Sequence, residues 1–272
     1  DVCSSDLEVF DTTPYTILVV DDNPDMTDFL KRTFEGYFKR IIIAGDGVEA
    51  LQLVRSHVPD IIVSDVMMPR MNGYKLCKTI KEDINISHIP VILLTARDDR
   101  QSQISGYKNG ADGYLSKPFE VEMLMELIRN RLKNREYTKK RYLNAGLIPT
   151  PEESTISLTD ETFLIKLNSI IQENIENSNL GIQFICQEVG LGRSSLYNKL
   201  KALTGMGANE YISKLRIEKA ITLISGTDMP FSEIAEKTGF TTPSYFSTAF
   251  KQYTGETPSQ YKERKKKGLA GK

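Results

Sequence analysis

Short, continuous apolar runs recur through the first half of the chain, and they restrict its fold more than any other feature. The runs at 17–20, 61–63 and 91–94 contain no polar residue. Runs of this length are typical of strands that are buried on both faces of a parallel sheet. Strand and helix patterns alternate five times before residue 136. This alternation predicts right-handed β-α-β crossovers and therefore a doubly wound α/β domain with a five-stranded parallel sheet.

The predicted elements give the first domain its boundaries. An irregular segment over 1–14 precedes the domain, which extends over 15–135. Strands are predicted over 16–21, 39–44, 61–65, 91–95 and 113–115, and helices over 25–36, 47–57, 73–83, 99–109 and 120–135.

Polar residues stand where the predicted strands end. Five of them each follow or end an apolar stretch: Asp21, Asp22, Asp65, Thr95 and Lys117. Because the carboxyl ends of parallel strands meet at one edge of the sheet, we expect these side chains to lie together. Three carboxylates in close proximity repel one another unless a cation lies among them. The pattern therefore predicts a Mg²⁺-assisted site that accepts a phosphoryl group.

The chemistry of this site assigns a role to each residue. Asp22, Asp65 and the carbonyl of Met67 would bind Mg²⁺ directly, and Asp21 would bind it through water, since Mg²⁺ prefers oxygen ligands and keeps several waters. Asp65 would be the nucleophile, because a carboxylate can form an acyl phosphate. Lys117 would neutralise phosphoryl oxygens and Thr95 would donate a hydrogen bond to them.

The same residues carry a resemblance to a known family. The stretches ILVVDDNPD, IIVSDVMMPRMNG, VILLTA and GYLSKPF resemble the receiver domain of bacterial two-component response regulators over 15–135. The resemblance implies a flavodoxin-like fold with strand order 2-1-3-4-5 and phosphorylation of Asp65 by a sensor histidine kinase. It also implies a switch that couples Thr95 to rotation of Tyr114. A homodimer would form on phosphorylation, through the helix over 99–109, the strand over 113–115 and the helix over 120–135.

The second half of the chain lacks strand patterns. A linker is predicted over 136–159, where glycine, proline and charged residues replace the periodic pattern. Beyond it, a pattern of two short helices around a glycine occurs twice, with Gly190 in one copy and Gly239 in the other. The residues after these glycines, from Leu196 in the first copy and Phe246 in the second, match at a constant offset of fifty. This pattern predicts two helix-turn-helix units, separated by a long helix near 207–225.

The doubled pattern resembles the AraC-type DNA-binding domain over 160–265. The resemblance rests on GLGRSSLYNKLKALTG, RIEKAITLI, EIAEKTGF and YFSTAFKQYTGETPSQY. It implies that two recognition helices enter adjacent major grooves of double-stranded DNA. Tyr245, Phe246 and Phe250 are expected in the core. The residues expected to face DNA are Arg193, Ser194, Tyr197 and Asn198 in the first unit and Ser244, Ser247 and Thr248 in the second.

Charge and cysteine content fit this interpretation. Residues 160–272 contain 15 basic and 12 acidic side chains, an excess that permits an anionic partner. Part of the excess lies in a basic tail over 266–272, which is predicted to fray. The three cysteines have no metal-binding or redox spacing, and no apolar run could span a bilayer. We expect a cytoplasmic location and no membrane contact by this segment.

Two alternatives remain open at this stage. The absence of an initiator methionine favours the C-terminal, cytoplasmic part of a membrane-bound hybrid sensor histidine kinase, in which the same residues receive phosphate from their own polypeptide or its dimer mate. The second alternative is an aspartate-dependent phosphotransferase of the haloacid dehalogenase type. Such enzymes usually carry Asp-x-Asp, whereas Asp65 is followed by Val66 and Met67. We therefore predict a non-enzymatic regulator.

Overall fold

The computed structural model describes residues 10–96, 110–144 and 157–269. Their contacts form two compact units. The first contains 10–139 with 157–160, and the second contains 140–144 with 161–269.

The first unit is built on a five-stranded sheet in which every neighbouring pair is parallel. The strand order β2-β1-β3-β4-β5 confirms the predicted doubly wound, flavodoxin-like fold. Each strand begins within one residue of its predicted start, and β5 continues two residues beyond its predicted end, to Lys117. The strands are β1 Thr16–Val20, β2 Arg40–Ala44, β3 Ile61–Asp65, β4 Val91–Ala96 and β5 Gly113–Lys117.

Alternate residues of each strand contribute to two separate cores. Leu18 and Val20 pack on one face with residues such as Leu76. Ile17 and Val19 pack on the other face with residues such as Leu124. Side chains alternate between the two faces of a strand, so both faces must be apolar when helices cover both. This requirement explains the unbroken apolar runs in the sequence.

Helices α1 Pro24–Phe34, α2 Gly47–His57, α3 Gly73–Glu82 and α4 Val121–Asn144 accompany the sheet. The helix predicted over 99–109 lies outside the described residues. Helix α4 ends later than the helix predicted over 120–135 and continues through the first nine residues of the predicted linker. No glycine or proline occurs between Val121 and Gly146, so nothing in the local sequence ends the helix earlier. High polarity alone did not mark a helix end.

The remaining helices confirm an all-α second part. The units α6–α7 and α9–α10 are the two predicted helix-turn-helix motifs. Gly190 and Gly239 have φ of 75° and 70° at the ends of α6 and α9, a left-handed conformation that glycine adopts without a Cβ penalty. The helices are α5 Leu158–Glu173, α6 Ile182–Val189, α7 Arg193–Thr204, α8 Ala208–Gly226, α9 Phe231–Lys237, α10 Pro243–Thr254 and α11 Pro258–Leu269.

Helix α11 corrects the predicted basic tail over 266–272. It continues to Leu269, because the four basic residues after Glu263 are good helix formers and Gly268 follows only near its end. Within the described ranges, no helix combines the length and apolar character that crossing a bilayer requires.

Candidate functional site

Three carboxylates meet at the carboxyl edge of the sheet. One oxygen each from Asp21, Asp22 and Asp65 lies within 4.8 Å of the others. Asp65 is the last residue of β3, and the other two follow β1, its neighbour in the sheet. Asp21 and Asp65 are buried, whereas Asp22 is exposed. The predicted acidic cluster therefore exists, and its open side is at Asp22.

Lys117 connects the two buried acids. Its Nζ donates to Asp21 Oδ2 over 2.8 Å and lies 2.7 Å from Asp65 Oδ1. Burial raises the pKa of Asp65, and the hydrogen bond and charge of Lys117 offset part of that rise. Burial lowers the pKa of Lys117, but the two carboxylates outweigh burial, so its pKa is raised. The lysine therefore stays cationic at neutral pH.

Backbone amides fix the remaining carboxylate oxygens of the buried pair. Asn23 N donates to Asp21 Oδ1 over 2.9 Å, and Met67 N donates to Asp65 Oδ2 over 3.0 Å. These bonds hold the two carboxylates in one orientation. They also place the Met67 backbone beside Asp65, although its role as a carbonyl ligand stays a prediction.

The cluster fits a divalent cation. Its three carboxylates carry three negative charges when ionised, and Lys117 supplies one positive charge, so the site keeps a net charge of −2. Hard oxygen ligands with an exposed side suit Mg²⁺, which retains water. Asp21, Asp22 and Asp65 would hold such a cation here.

Thr95 lies next to the acidic cluster and has an unsatisfied hydroxyl. Asp65 pairs with Leu94 in the sheet, so Thr95 is one residue further toward the same edge. Its side chain is 1% exposed, and Oγ1 has no hydrogen-bond partner among the described residues. A buried hydroxyl without a partner is destabilising, so its retention in a folded protein calls for an explanation. Thr95 is available to donate to a group added at Asp65.

Tyr114 shares a sheet face with Thr95. It pairs with Leu93 between β5 and β4, and Leu93 and Thr95 lie two residues apart on β4. Residues two apart on a strand point to the same face. The ring is half-buried and packs against the core that contains Leu93. The placement is compatible with the predicted switch, and ring rotation stays a prediction.

Gly73 is a site residue that the sequence analysis missed. A Cβ there would lie 2.2 Å from the carbonyl oxygen of Asp65, and its amide donates to Val66 O over 3.0 Å. The start of α3 therefore packs directly on the end of β3. The Asn72-Gly73 pair ahead of a helix was the available signal.

The structure places most of the predicted DNA-facing residues on the surface of the first recognition helix, α7. Arg193, Ser194 and Tyr197 are exposed, and Asn198 is half-buried. Leu196 and Leu200 occupy the opposite, buried face. The three exposed residues are one, three and four positions apart, so they share one side of the helix.

The predicted DNA-facing residues of the second recognition helix, α10, are also at least partly exposed. Ser244 and Thr248 are exposed and Ser247 is half-buried. Phe246 and Phe250 are buried as predicted, but Tyr245 is 55% exposed, so its assignment to the core was wrong. Phe246 and Phe250 are four residues apart and share a helix face, whereas Tyr245 lies about 100° away from Phe246.

Comparison with known proteins divides the chain at the same places. A family model described as response regulator receiver domain matches residues 17–129, and one described as helix-turn-helix domain matches residues 185–264. The response regulator MprA of Mycobacterium sp. (strain KMS) is 36% identical over 165 residues, which cover 56% of this chain and 70% of that protein. The chain belongs to the response-regulator family.

Other comparisons cover different shares of this chain and of the matched protein. Histidine kinase P4 of Formosa agariphila is 41% identical over 249 residues, which are 92% of this chain and 18% of the kinase. The chain spans 58% of the DNA-binding response regulator MtrA of Mycolicibacterium smegmatis, at 36% identity. Among solved structures, the receiver domain of Francisella response regulator 1452 is 38% identical and covers 45% of this chain and 99% of that one, with a TM-score of 0.41.

The two matched domains define the broad function. A receiver domain followed by an AraC-type helix-turn-helix domain is the organisation of a response-regulator transcription factor in a two-component system.

Proposed function

We propose that a histidine kinase transfers a phosphoryl group to Asp65 and that this transfer controls sequence-specific DNA binding by residues 160–265. The observation that carries the proposal is the surroundings of Asp65. Its buried carboxylate faces the Nζ of Lys117 at 2.7 Å and shares a cluster with two further acids. Few uses other than a cation and a transferred anion account for this combination.

In the proposed reaction, an oxygen of Asp65 attacks the phosphorus of a phosphohistidine. The new P–O bond forms an acyl phosphate as the P–N bond breaks, and the imidazole leaves with the electron pair. Bound Mg²⁺ would supply positive charge to the phosphoryl oxygens. Lys117, held 2.8 Å from Asp21, would donate to another of these oxygens. Thr95 would donate its hydroxyl proton, which has no other acceptor among the described residues.

Thr95→Val is expected to keep the stability of the resting protein and to remove its response to phosphorylation. The substitution deletes a hydroxyl that has no described partner, so the free energy of unfolding should stay the same or rise by about 1 kcal/mol. Urea unfolding measures this effect. Without the hydroxyl, phosphorylation of Asp65 should no longer raise DNA affinity, which a titration with labelled duplex measures.

Thr12→Val is the matched control for Thr95. Thr12 is also buried in the first unit, but its Oγ1 donates to Tyr37 O over 2.7 Å. Its replacement should lower the free energy of unfolding by about 1 kcal/mol and leave the response to phosphorylation intact. Equal destabilisation by the two substitutions would contradict the proposed role of Thr95.

For DNA binding, we propose that α7 and α10 enter successive major grooves on one side of the duplex, about 34 Å apart. Helix α8, Ala208–Gly226, joins the two units without a break. The modest basic excess over 160–272, 15 against 12, predicts weak non-specific binding that decreases as salt increases. Paired sites and a homodimer would then add affinity. Dimer formation through the helix over 99–109 stays a prediction.

Asn198→Ala is expected to relax base preference at one or two positions, at a cost of about 1–3 kcal/mol if Asn198 binds adenine with two hydrogen bonds. Removal of 265–267 should instead weaken binding equally on all sequences or have no effect, because lysines contact phosphates. Affinities for a panel of single-base variants of the selected duplex measure both effects. The same sequence-independent loss in both variants would show that Asn198 does not contact bases.

A second candidate is that the chain forms the C-terminal, cytoplasmic part of a hybrid sensor histidine kinase. The identity of 41% to Histidine kinase P4 over 92% of this chain favours it. Asp65 would then receive the phosphoryl group within one polypeptide or its dimer. The reading frame upstream of residue 1 in the gene distinguishes the candidates. A kinase domain encoded in that frame supports the hybrid, and a start codon near residue 1 supports a separate kinase.

A further inference from the structure

Three segments of the C-terminal half of the chain, residues 161–269, meet at the side chain of Arg216. Arg216 belongs to α8, the helix between the two helix-turn-helix units. Its Nη2 donates to Asn177 O over 2.7 Å, in the turn that precedes α6. The guanidinium carbon lies 5.9 Å from the ring centroid of Phe240, in the turn of the second unit. One side chain on the connecting helix therefore contacts the second helix-turn-helix motif and the turn that leads into the first.

Gly239 brings the same segments into direct contact. A Cβ at this position would lie 2.2 Å from Ile175 O and 2.9 Å from Arg216 Nη2. The turn of the second unit thus packs against the backbone that leads into the first unit, with the guanidinium beside it. The corresponding Gly190 of the first unit has no atom within 4 Å of its would-be Cβ. The close contact is specific to the second copy.

The surroundings of Arg216 require its shape as well as its charge. The residue is 9% exposed, and Nε has no hydrogen-bond partner among the described residues. Burial lowers the pKa of the guanidinium. A buried cation is costly unless fixed groups compensate it, and here a carbonyl oxygen and an aromatic face do so. A planar guanidinium can meet both partners at once, whereas an ammonium cannot do so in the same geometry.

We propose that Arg216 is a positioning residue that fixes the separation and relative orientation of the two recognition helices. Without it, the second unit would still fold around Phe246 and Phe250, which are fully buried. Its position relative to the first unit would vary, and the protein would then accept DNA half-sites at several spacings. This inference rests on the proposed binding of α7 and α10 to successive grooves.

Spacing dependence on DNA tests this role in the full chain. A random duplex pool is enriched with the wild-type chain after treatment with acetyl phosphate and Mg²⁺. The enriched duplex is then remade with two base pairs inserted between its half-sites. The insertion should weaken wild-type binding by about tenfold to a hundredfold, since it removes base contacts of one helix. Arg216→Met should show a clearly smaller ratio between the two duplexes.

Arg264→Met is the matched control, because it also removes one arginine from the C-terminal half of the chain, residues 161–269. Arg264 pairs with Glu256 at 2.7 Å on the surface, and its loss should leave the spacing ratio at the wild-type value. Circular dichroism melting shows whether Arg216→Met is folded. If Arg216→Met is not folded, Phe240→Leu replaces it. This variant removes the aromatic face but keeps the guanidinium, and its ratio of affinities for the two duplexes should likewise be smaller than that of the wild type.

The outcomes separate this inference from the function on which it rests. A wild-type chain that binds both duplexes equally would contradict two-groove binding itself. A spacing-sensitive wild type together with a folded Arg216→Met of unchanged ratio would overturn only the role of Arg216. An equal loss of affinity on both duplexes would also overturn it, because a purely structural or phosphate-contacting arginine gives that result.

Discussion

Asp65→Asn is expected to abolish phosphoryl transfer from acetyl phosphate to the protein. An amide oxygen is a poor nucleophile, and the substitution also removes one of the three charges that would hold Mg²⁺. Intact-protein mass spectrometry should show one added phosphoryl group on the wild type and none on the variant. Chelation of Mg²⁺ should suppress the wild-type signal, because the unshielded carboxylates repel the donor.

Asp60→Asn provides the matched control for this experiment. Asp60 precedes the same strand that Asp65 ends, and it accepts a hydrogen bond from Thr16 N over 2.9 Å at the opposite edge of the sheet. A carboxylate there has no acidic cluster beside it among the described residues. Asp60→Asn should be phosphorylated like the wild type. Full labelling of Asp65→Asn would show that another residue accepts the phosphoryl group.

The first domain and its site were predictable because their signals are local. Strands buried on both faces need continuous apolar runs, and the end of each run marks the edge where ligands bind. The positions of Asp65 and Lys117 therefore followed from the sequence. The sequence could not show which of these polar groups have hydrogen-bond partners in the folded protein. The missing partner of Thr95 depends on atoms from several strands, and no periodic pattern records them.

The sequence was less informative about where a helix ends and about which of its faces is buried. Helix α4 continues to Asn144, well beyond the predicted end, since polar residues do not themselves stop a helix. Tyr245 is aromatic but lies outside the buried stripe of its helix. Conversely, Lys199 is fully buried with its Nζ 5.1 Å from the ring centroid of Phe163, a residue of another helix. Residue type suggests burial, but the neighbouring helices decide it.

Gly239→Ala is expected to lower the free energy of unfolding of residues 161–269 far more than Gly190→Ala does. Both glycines have positive φ, 70° and 75°, so each substitution carries a conformational cost of about 1–2 kcal/mol. At Gly239 the new methyl would also lie 2.2 Å from Ile175 O, a backbone atom that cannot move alone. The free energy of unfolding should therefore fall by more than about 3 kcal/mol for Gly239→Ala. Losses of this size usually come from strain or overpacking.

The comparison works because the two positions are equivalent in the repeated motif. Each ends the first helix of its unit with a left-handed glycine. Alanine also restricts the unfolded chain, by about 0.4–1 kcal/mol at either position, so this effect cancels in the difference. Urea unfolding of the full chain, followed by circular dichroism of its helices, measures both variants. Similar losses for Gly239→Ala and Gly190→Ala would show that the turn of the second unit does not press against Ile175 in solution. The separation of the two recognition helices would then need another explanation.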